Sequence, residues 1–513
     1  MATTASSSRP LSPPAEPQPG GGILSREILA PAAVVVLGAI MTILDATIVN
    51  VALPVLGRDL HTSISTIQWV PTIYLLAFAS VIPLTGWASQ RFGAKRLWLA
   101  SIATFVAGSV LAGMSWSIGS LIFFRVLQGL GGGMIMPLGQ MMLAQVAGPK
   151  RMGRVMSIVG VPMLVVPIFG PLIGGSLISA ASWRWIFFIN LPVGVVAFVA
   201  ALRLLPSGAR RAGARLDVLG LVLLSGGLAI SLYGLAEVGQ RDQFLALGTL
   251  GPIVLGIALV IAFVAHAFRV TTPLIDVRLF LKRGFASAAV TNFVLGVGLF
   301  GAMLLLPLYF EIVRDRTPFG TGLLLVPQGL GAAIAISIAG ALTDKVGARR
   351  VVLVGVTLAL LGTAVYTQIG AHTSYWYLAF ALFLIGAGLG STITPSMTAA
   401  YQELGQAEMA GATSAINVIQ RVAGSIGSAL LAVVLQGEMA SRLPGLHGGI
   451  NQAAALAAHS SGQATAALAH SFGASFFVAF ALTAAAVVPA VLLPAHRKAS
   501  PSAGETPPEV GIE

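Results

Sequence analysis

Long apolar runs alternate with short segments that hold charges, glycine, proline or small polar residues along almost the whole chain. A run of about 20 apolar residues is long enough for an α-helix to cross a lipid bilayer. Fourteen runs of that kind predict an all-α integral membrane protein with fourteen spanning helices. They cover residues 29–56, 65–89, 97–115, 119–146, 153–180, 184–205, 215–238, 246–268, 284–311, 319–343, 351–370, 375–402, 409–436 and 470–494.

Composition agrees with a bilayer setting, because 56% of the 513 residues are hydrophobic, 9% are charged and the mean hydropathy is +0.90. The chain has no cysteine, which excludes disulfides, thiol chemistry and cysteine-based metal sites. The seven histidines fall in loops or near helix ends without metal-ligand spacing, and no hydrolase, zinc-protease or P-loop motif is present. We therefore expect no enzyme activity, no cofactor and no metal site.

The net charge of +12 raises the question of a nucleic-acid partner, and the placement of the basic residues answers it. With the N-terminus inside, 21 Lys and Arg residues fall in the tails and even-numbered loops, against 6 on the other side. This asymmetry predicts both termini in the cytoplasm of a cell-membrane protein, with the bilayer and not nucleic acid as the partner. Residues 1–27, rich in Ser, Pro and Gly, are expected to be a disordered tail, and 496–513 a second cytoplasmic tail.

An eleven-residue pattern occurs twice, at residues 86–96 and 340–350, with a constant offset of 254 positions. Glycines and a basic pair match throughout, which predicts two parallel halves, 28–205 and 284–495. An inserted helix pair, 206–270, and an amphipathic linker, 271–283, would lie between them. In the second copy, Asp344 is expected to bind a neighbouring helix end or basic side chain and so to act as a latch that holds the cytoplasmic side in one state. The first copy has Gln90 at this position. The positions assigned to these turns are Gly86, Arg91, Gly93, Lys95, Arg96, Gly340, Asp344 and Gly347.

Two opposite charges lie inside apolar segments of the first half. Asp45 is in the first predicted helix and Arg125 is in the fourth, both at membrane depth. An ionisable group at that depth costs several kcal/mol and indicates a functional site with a partner. We expect Asp45 and Arg125 to pair; the alternative is an ion pair with a purely structural role.

Further polar groups in the apolar segments are candidates for cavity-lining or titratable positions: Asn50, Gln128, Glu311 and Arg421. Arg421 has no obvious carboxylate in its half, and Glu403 and Glu408 are its expected companions. Among the glycines, Gly129 and Gly133 have the spacing at which two helices approach closely.

Several of these motifs, taken together, resemble the fourteen-helix drug:H+ antiporters of the major facilitator superfamily, the EmrB/QacA type. They are residues 44–54, the loop 86–96, Arg125 with Gln128 and Gly129, the Trp-Arg-Trp at 183–185, and a glycine-proline signature formed by Gly170, Pro171, Gly174 and Gly175. The resemblance implies proton-driven export of hydrophobic, often cationic, compounds, with proton coupling at Asp45 and Arg125. The glycine-proline signature is typical of antiporters rather than symporters.

Three other functions remain open on the sequence alone. The same fold could export a lipid, a metabolite or an amino acid. An intramembrane enzyme is opposed by the absent catalytic motifs, and a channel is opposed by the duplicated halves.

Overall fold

The computed structural model describes residues 26–147, 152–205, 215–238, 247–401, 404–405, 408–443 and 462–494. Every regular element within these ranges is a helix, which confirms the predicted all-α class. Both terminal tails, apart from the first residues of α1, lie outside the described residues.

Eighteen α-helices follow one another in the described part of the chain, and most are long. They are α1 Arg26–Asp59, α2 Ile64–Ile67, α3 Trp69–Val81, α4 Leu84–Phe92, α5 Ala94–Gly113, α6 Ile118–Ala147, α7 Met152–Ala180, α8 Trp185–Phe188, α9 Asn190–Leu204, α10 Val218–Val238, α11 Leu247–Arg269, α12 Arg283–Leu308, α13 Pro318–Val346, α14 Ala348–Tyr366, α15 Tyr375–Tyr401, α16 Met409–Arg442, α17 Gly462–Ala485 and α18 Val487–Val491. A 3-10 helix, Val277–Leu281, precedes α12, and a π-helical turn, Tyr309–Val313, follows it.

Twelve helical stretches of the described chain are long and apolar enough to cross a membrane, and the bent pair α3–α4 adds a thirteenth. The 29-residue helix α7 corresponds to the remaining predicted segment, 153–180. Fourteen spans fit this set, and that count stays a prediction.

The second predicted span is broken by a bend of 58° between α3 and α4. Pro83 stands at the break. Proline has no N–H to donate to the preceding turn, and its ring clashes with the carbonyl four residues earlier. The segment 65–89, predicted as one helix, is therefore two helices that meet at an angle.

The repeated turns have the same backbone geometry. Gly93 and Gly347 have φ values of 87° and 89°, a conformation that glycine adopts without steric cost. Each N–H donates to the carbonyl four residues earlier, at 2.9 Å to Ser89 and 3.0 Å to Thr343. The shared geometry supports the duplicated halves predicted from the offset of 254. We call the end of the bundle that carries these two turns the basic end.

Lys95 in the first of these turns has a structural contact that its charge alone did not indicate. Its Nζ donates to the carbonyl oxygens of Leu202 and Leu205, at 2.7 and 2.8 Å. These carbonyls belong to the last turn of α9 and the residue after it, where no intrahelical donor remains and a cation is favoured. Lys95 thus ties the turn to the end of the sixth predicted span.

Glycines bring the helices of each half into close contact, which confirms the packing predicted from Gly129 and Gly133. A Cβ added at Gly131 of α6 would lie 2.5 Å from the backbone nitrogen of Phe105, and one at Gly388 of α15 would lie 2.6 Å from that of Ala359. The two contacts are related by the repeat, since Phe105 and Ala359 are 254 positions apart. Three glycines of α6 match three of α15 at an offset of 257 positions: Gly129, Gly131 and Gly133 with Gly386, Gly388 and Gly390.

The two halves meet near the basic end. The side chain of Asn417 in α16 donates to Gln140 Oε1 in α6 at 2.8 Å, and both side chains are buried. A Cβ added at Gly86 of α4 would lie 3.4 Å from the carbonyl oxygen of Ala410 in α16. Polar and backbone contacts therefore close the space between the halves on this side.

The segment between α16 and α17 is shorter than the loop predicted at 437–469. Helix α16 continues to Arg442, where Glu438 and Arg442 form an i,i+4 ion pair of 3.1 Å. Helix α17 begins at Gly462, eight residues before the predicted start, in an alanine-rich stretch with high helix propensity. Hydropathy located the apolar parts of these helices and missed their polar ends.

The inserted pair is joined to the linker by one carboxylate. Asp217 accepts a hydrogen bond from the N–H of Gly220 at 2.8 Å and thereby caps the N-terminus of α10. The same side chain contacts His266 of α11 at 2.8 Å and accepts from the N–H of Leu274 at 3.2 Å. Burial acts to raise the pKa of Asp217, but these donors outweigh it, and the pKa lies below its ordinary value.

The linker is held to the start of α16 by a second ion pair. Lys282 donates to both carboxylate oxygens of Glu408, at 2.7 and 2.8 Å, and the N–H of Gly405 donates to Glu408 at 2.9 Å. The hydrogen bond from Lys282, followed by that from Gly405, lowers the pKa of Glu408 below its ordinary value.

We expect the Lys282–Glu408 pair to stabilise the protein by at most about 1 kcal/mol, since both side chains are about one third exposed. Because the pKa of Glu408 is lowered in the folded protein, this contribution is complete above the ordinary carboxyl pKa of 4.5. It disappears as the pH falls further and Glu408 is protonated. Unfolding temperatures of Lys282→Gln should lie below wild type at pH 7, and the difference should shrink as the pH falls below the ordinary carboxyl pKa. A difference that does not change with pH, or the same pattern in Lys345→Gln, would contradict this expectation.

Candidate functional site

Asp45 is fully buried in α1 and accepts three side-chain hydrogen bonds. Arg125 Nη1 donates to Oδ2 at 2.6 Å, while Gln128 Nε2 and Asn190 Nδ2 donate to Oδ1 at 2.7 and 3.1 Å. The donors come from α6 and α9, so three helices of the first half meet at this carboxylate. The structure thus brings together Asp45, Arg125 and Gln128 of the residues singled out in the sequence.

Arg125 is as buried as its partner and is held on several sides. Its Nη1 also donates to Gln128 Oε1 at 2.7 Å, and its Nε donates to the carbonyl of Val70 at 3.3 Å. The guanidinium lies 4.1 Å from the centre of the Tyr74 ring, an arrangement that favours a cation. These contacts fix the guanidinium in one position beside Asp45.

Asn190, Ser109 and Tyr74 belong to the site but were not predicted from the sequence. Asn190 Nδ2 also donates to Ser109 Oγ at 3.0 Å, and the Ser109 hydroxyl donates to the carbonyl of Phe187 at 2.8 Å. The signal for Asn190 was available, because it is an isolated amide inside the apolar segment 184–205. Its partner could not be identified, since 145 positions separate it from Asp45.

The arrangement suits an ion pair that is shielded from water. Removing two charges from water costs several kcal/mol for each ion, and only close pairing with additional hydrogen bonds offsets this cost. Here both charges have such partners.

The other polar candidates do not join this network. Asn50 is exposed and donates to the carbonyl of Ala46 at 3.4 Å. Glu311 is half-buried in the π-helical turn at the far end of α12. Arg421 lies across from the first half, with its guanidinium 4.3 Å from the centre of the Phe78 ring.

The expected pairing of Arg421 with Glu408 is wrong. Glu408 binds Lys282 instead, because the linker brings that lysine to the start of α16. Glu403 lies outside the described residues, and so do the side chains of Asp344 and Pro171. The latch predicted at Asp344 therefore stays a prediction.

The glycines of the signature in α7 differ in their surroundings. A Cβ at Gly170 would overlap the side chain of Thr47, and one at Gly174 would lie 2.6 Å from Ile48. A Cβ at Gly175 would face open space, with no atom of the described residues within 4 Å. Two glycines thus seat α7 against α1, close to Asp45, and the third has no such role.

The second half lacks a charged counterpart of this site. The repeat relates Asp45 to Leu299, with an offset of 254, and Arg125 and Gln128 to Leu382 and Ile385, with an offset of 257. All three counterparts are buried. Helix packing is duplicated in the two halves, whereas the fully buried charge pair occurs once in the described chain.

Comparison with known proteins agrees with this architecture. The family model described as Major Facilitator Superfamily matches residues 35–428. A protein named multidrug resistance protein B homolog from Mycobacterium tuberculosis is 39% identical over 517 residues, with 96% of each chain covered.

Two solved structures share the fold at low sequence identity. The human organic anion transporter MFSD10 superposes with a TM-score of 0.58 at 14% identity, covering 89% of this chain and 99% of its own. The proton:xylose symporter XylE gives a TM-score of 0.56 at 15% identity, covering 90% of this chain and 96% of its own. The family match, the long apolar helices and the two packed halves together identify the chain as a transporter of the major facilitator superfamily.

Proposed function

We propose that this protein exports hydrophobic compounds in exchange for protons, with Asp45 as the proton carrier. The observation that carries the proposal is the fully buried Asp45–Arg125 pair, completed by Gln128 and Asn190. Relatedness to a protein named for multidrug resistance supports several cargo molecules rather than one.

The orientation follows from the charge asymmetry of the loops. We place the basic end and both termini in the cytoplasm of a cell-membrane protein, as the positive-inside rule requires. The bond between Gln140 and Asn417 then lies on the cytoplasmic side. In this orientation the structure represents a state closed toward the cytoplasm.

Proton exchange depends on a change in the surroundings of Asp45. In the present state the carboxylate accepts hydrogen bonds from three donors. Movement of α1 away from α6 within the first half, while Asp45 is open to the outside, would remove the donors on α6 and let Asp45 take up a proton there. Rocking of the halves would then open the cytoplasmic side, where return of these donors would release the proton. One proton that crosses about 100 mV and one pH unit supplies roughly 3.7 kcal/mol, enough for a cargo gradient of about 500-fold.

The space between the halves is the proposed path for cargo. On the side of the second half, Asn292, Gln420 and Phe300 line a small cleft together with leucine and isoleucine side chains of α12 and α15. The walls of this cleft are apolar apart from two amide side chains, so we propose that the second half offers cargo mainly apolar contacts.

The test uses the purified full-length protein in liposomes that enclose a pH-sensitive dye. With an imposed pH gradient, we expect uptake of a fluorescent hydrophobic compound against its concentration, and we expect that compound to move protons the opposite way. Collapse of the gradient with a protonophore should stop accumulation. Cargo uptake that does not depend on the pH gradient, or cargo movement without proton movement, would refute the proposed exchange of cargo for protons.

A further inference from the structure

Arg421 is a charged side chain at membrane depth that the proposed proton exchange does not use. It lies twelve residues after the start of α16, about 18 Å along the helix axis. The side chain is nevertheless exposed, and its guanidinium reaches Phe78 of the other half. Arg421 therefore borders the space between the two halves.

Other arginines of the bundle donate hydrogen bonds to oxygen atoms of the protein. Arg421 differs from these arginines. Arg184 donates to the carbonyl of Ser115 at 3.0 Å, and Arg314 donates to the carbonyl of Thr373 at 2.8 Å. Within the described part of the chain, Arg421 forms no hydrogen bond or ion pair, and its close contact is the face of Phe78. A guanidinium has five N–H donors, and here they remain available to a ligand.

The neighbouring charges do not compensate Arg421. Asp45 is paired with Arg125, and Glu408 is paired with Lys282. An uncompensated cation at membrane depth is costly and indicates a binding function. The position repels a cationic ligand and attracts an anionic one.

A short aromatic connection links Arg421 to the proton site. Phe78 follows Tyr74 by one turn of α3, and their ring centres are 5.8 Å apart. The guanidinium of Arg125 lies over the Tyr74 ring, and the guanidinium of Arg421 lies over the Phe78 ring. A ligand on Arg421 would therefore bind beside the helix that supports the partner of Asp45.

We propose that Arg421 and Phe78 form a subsite for the anionic group of an amphipathic cargo molecule. The guanidinium would bind a carboxylate or sulfonate through paired hydrogen bonds, and the Phe78 ring would contact the adjacent apolar part. This assignment rests on the proposed function and refines it, because the family resemblance alone implies cargo that is often cationic.

The test compares three probes that share a pyrene body and differ in charge: pyrenebutyrate, pyrenebutanol and a pyrenebutyl-trimethylammonium salt. Equilibrium binding is measured by fluorescence anisotropy with the full chain in phosphatidylcholine nanodiscs, without a proton gradient. We expect wild type to bind the carboxylate about tenfold more tightly than the alcohol, and the cation most weakly. Arg421→Gln should remove this order, and Arg421→Lys should keep the preference for the anion.

Arg442→Gln is the matched control, because it removes one positive charge from the same helix, at an exposed position paired with Glu438. The subsite would be overturned if Arg421→Gln changed the affinities for the carboxylate and the alcohol equally. It would also be overturned if Arg442→Gln removed the order of affinities among the three probes. If added phosphatidylglycerol displaces pyrenebutyrate from wild type, a lipid headgroup is the occupant and the cargo assignment is wrong. Binding needs no gradient, so failure of proton exchange in the liposome assay leaves this result interpretable by itself.

Discussion

Replacement of Asp45 by Asn is expected to abolish cargo-driven proton movement, with a loss of at least about 100-fold. Asparagine keeps the shape of the side chain but cannot gain or lose a proton. Its amide can still accept from Gln128 and Asn190, so the helices retain most of their contacts. The measurement is proton release from liposomes on addition of cargo, with protein content confirmed by immunoblot.

The stability of the same variant separates transport from folding. Asp45→Asn leaves the buried Arg125 without its counter-charge, which is expected to cost about 3–5 kcal/mol of folding free energy. The double variant Asp45→Asn with Arg125→Gln removes both charges and should recover most of this loss without restoring proton movement. Normal proton exchange in either variant would exclude Asp45 as the carrier. Exchange restored in the double variant would assign the pair a structural role only.

A single methyl group in α7 is expected to have a large effect at Gly170 and almost none at Gly175. In Gly170→Ala the new Cβ would overlap the side chain of Thr47 in α1, whereas in Gly175→Ala it would enter open space. Overpacking at a helix contact costs about 1–3 kcal/mol. Because the contact lies two residues from Asp45, we expect Gly170→Ala to lower the unfolding temperature and to reduce transport several-fold.

The two alanine variants control for one another, since they lie on the same helix and change helix propensity equally. Unfolding temperature and cargo uptake are measured for both at matched protein levels. Equal behaviour of the two would show that the signature acts through helix propensity and not through the contact between α7 and α1.

The sequence predicted the charge pair because burial of charge has a high cost. Asp45 and Arg125 each stood out alone in an apolar segment, and pairing was the solution with the lowest free energy. Hydropathy also located the long apolar helices, and spacing located the duplicated turns at Gly93 and Gly347. Each of these inferences depends on a property that is local in the chain or that repeats at a fixed offset.

Other parts of the site depend on contacts between distant segments, for which the sequence carries no local signal. Nothing near Glu408 indicated that Lys282, on the linker, would bind it in place of Arg421. The bonds of Lys95 to the end of α9 likewise depend on how two spans pack. The polar end of α16 was missed because an ion pair between Glu438 and Arg442 extends a helix beyond its apolar part.

The fully buried charge pair, which occurs in one half only among the described residues, has a consequence for how the transporter can be altered. Proton coupling would depend on the first half, through Asp45. The second half has no such requirement and has Leu299 and Leu382 at the matching positions. Substitutions on the cavity side of α12 and α16 could then broaden or narrow the range of exported compounds while the coupling machinery stays intact. Engineering of cargo selectivity should therefore begin in the second half.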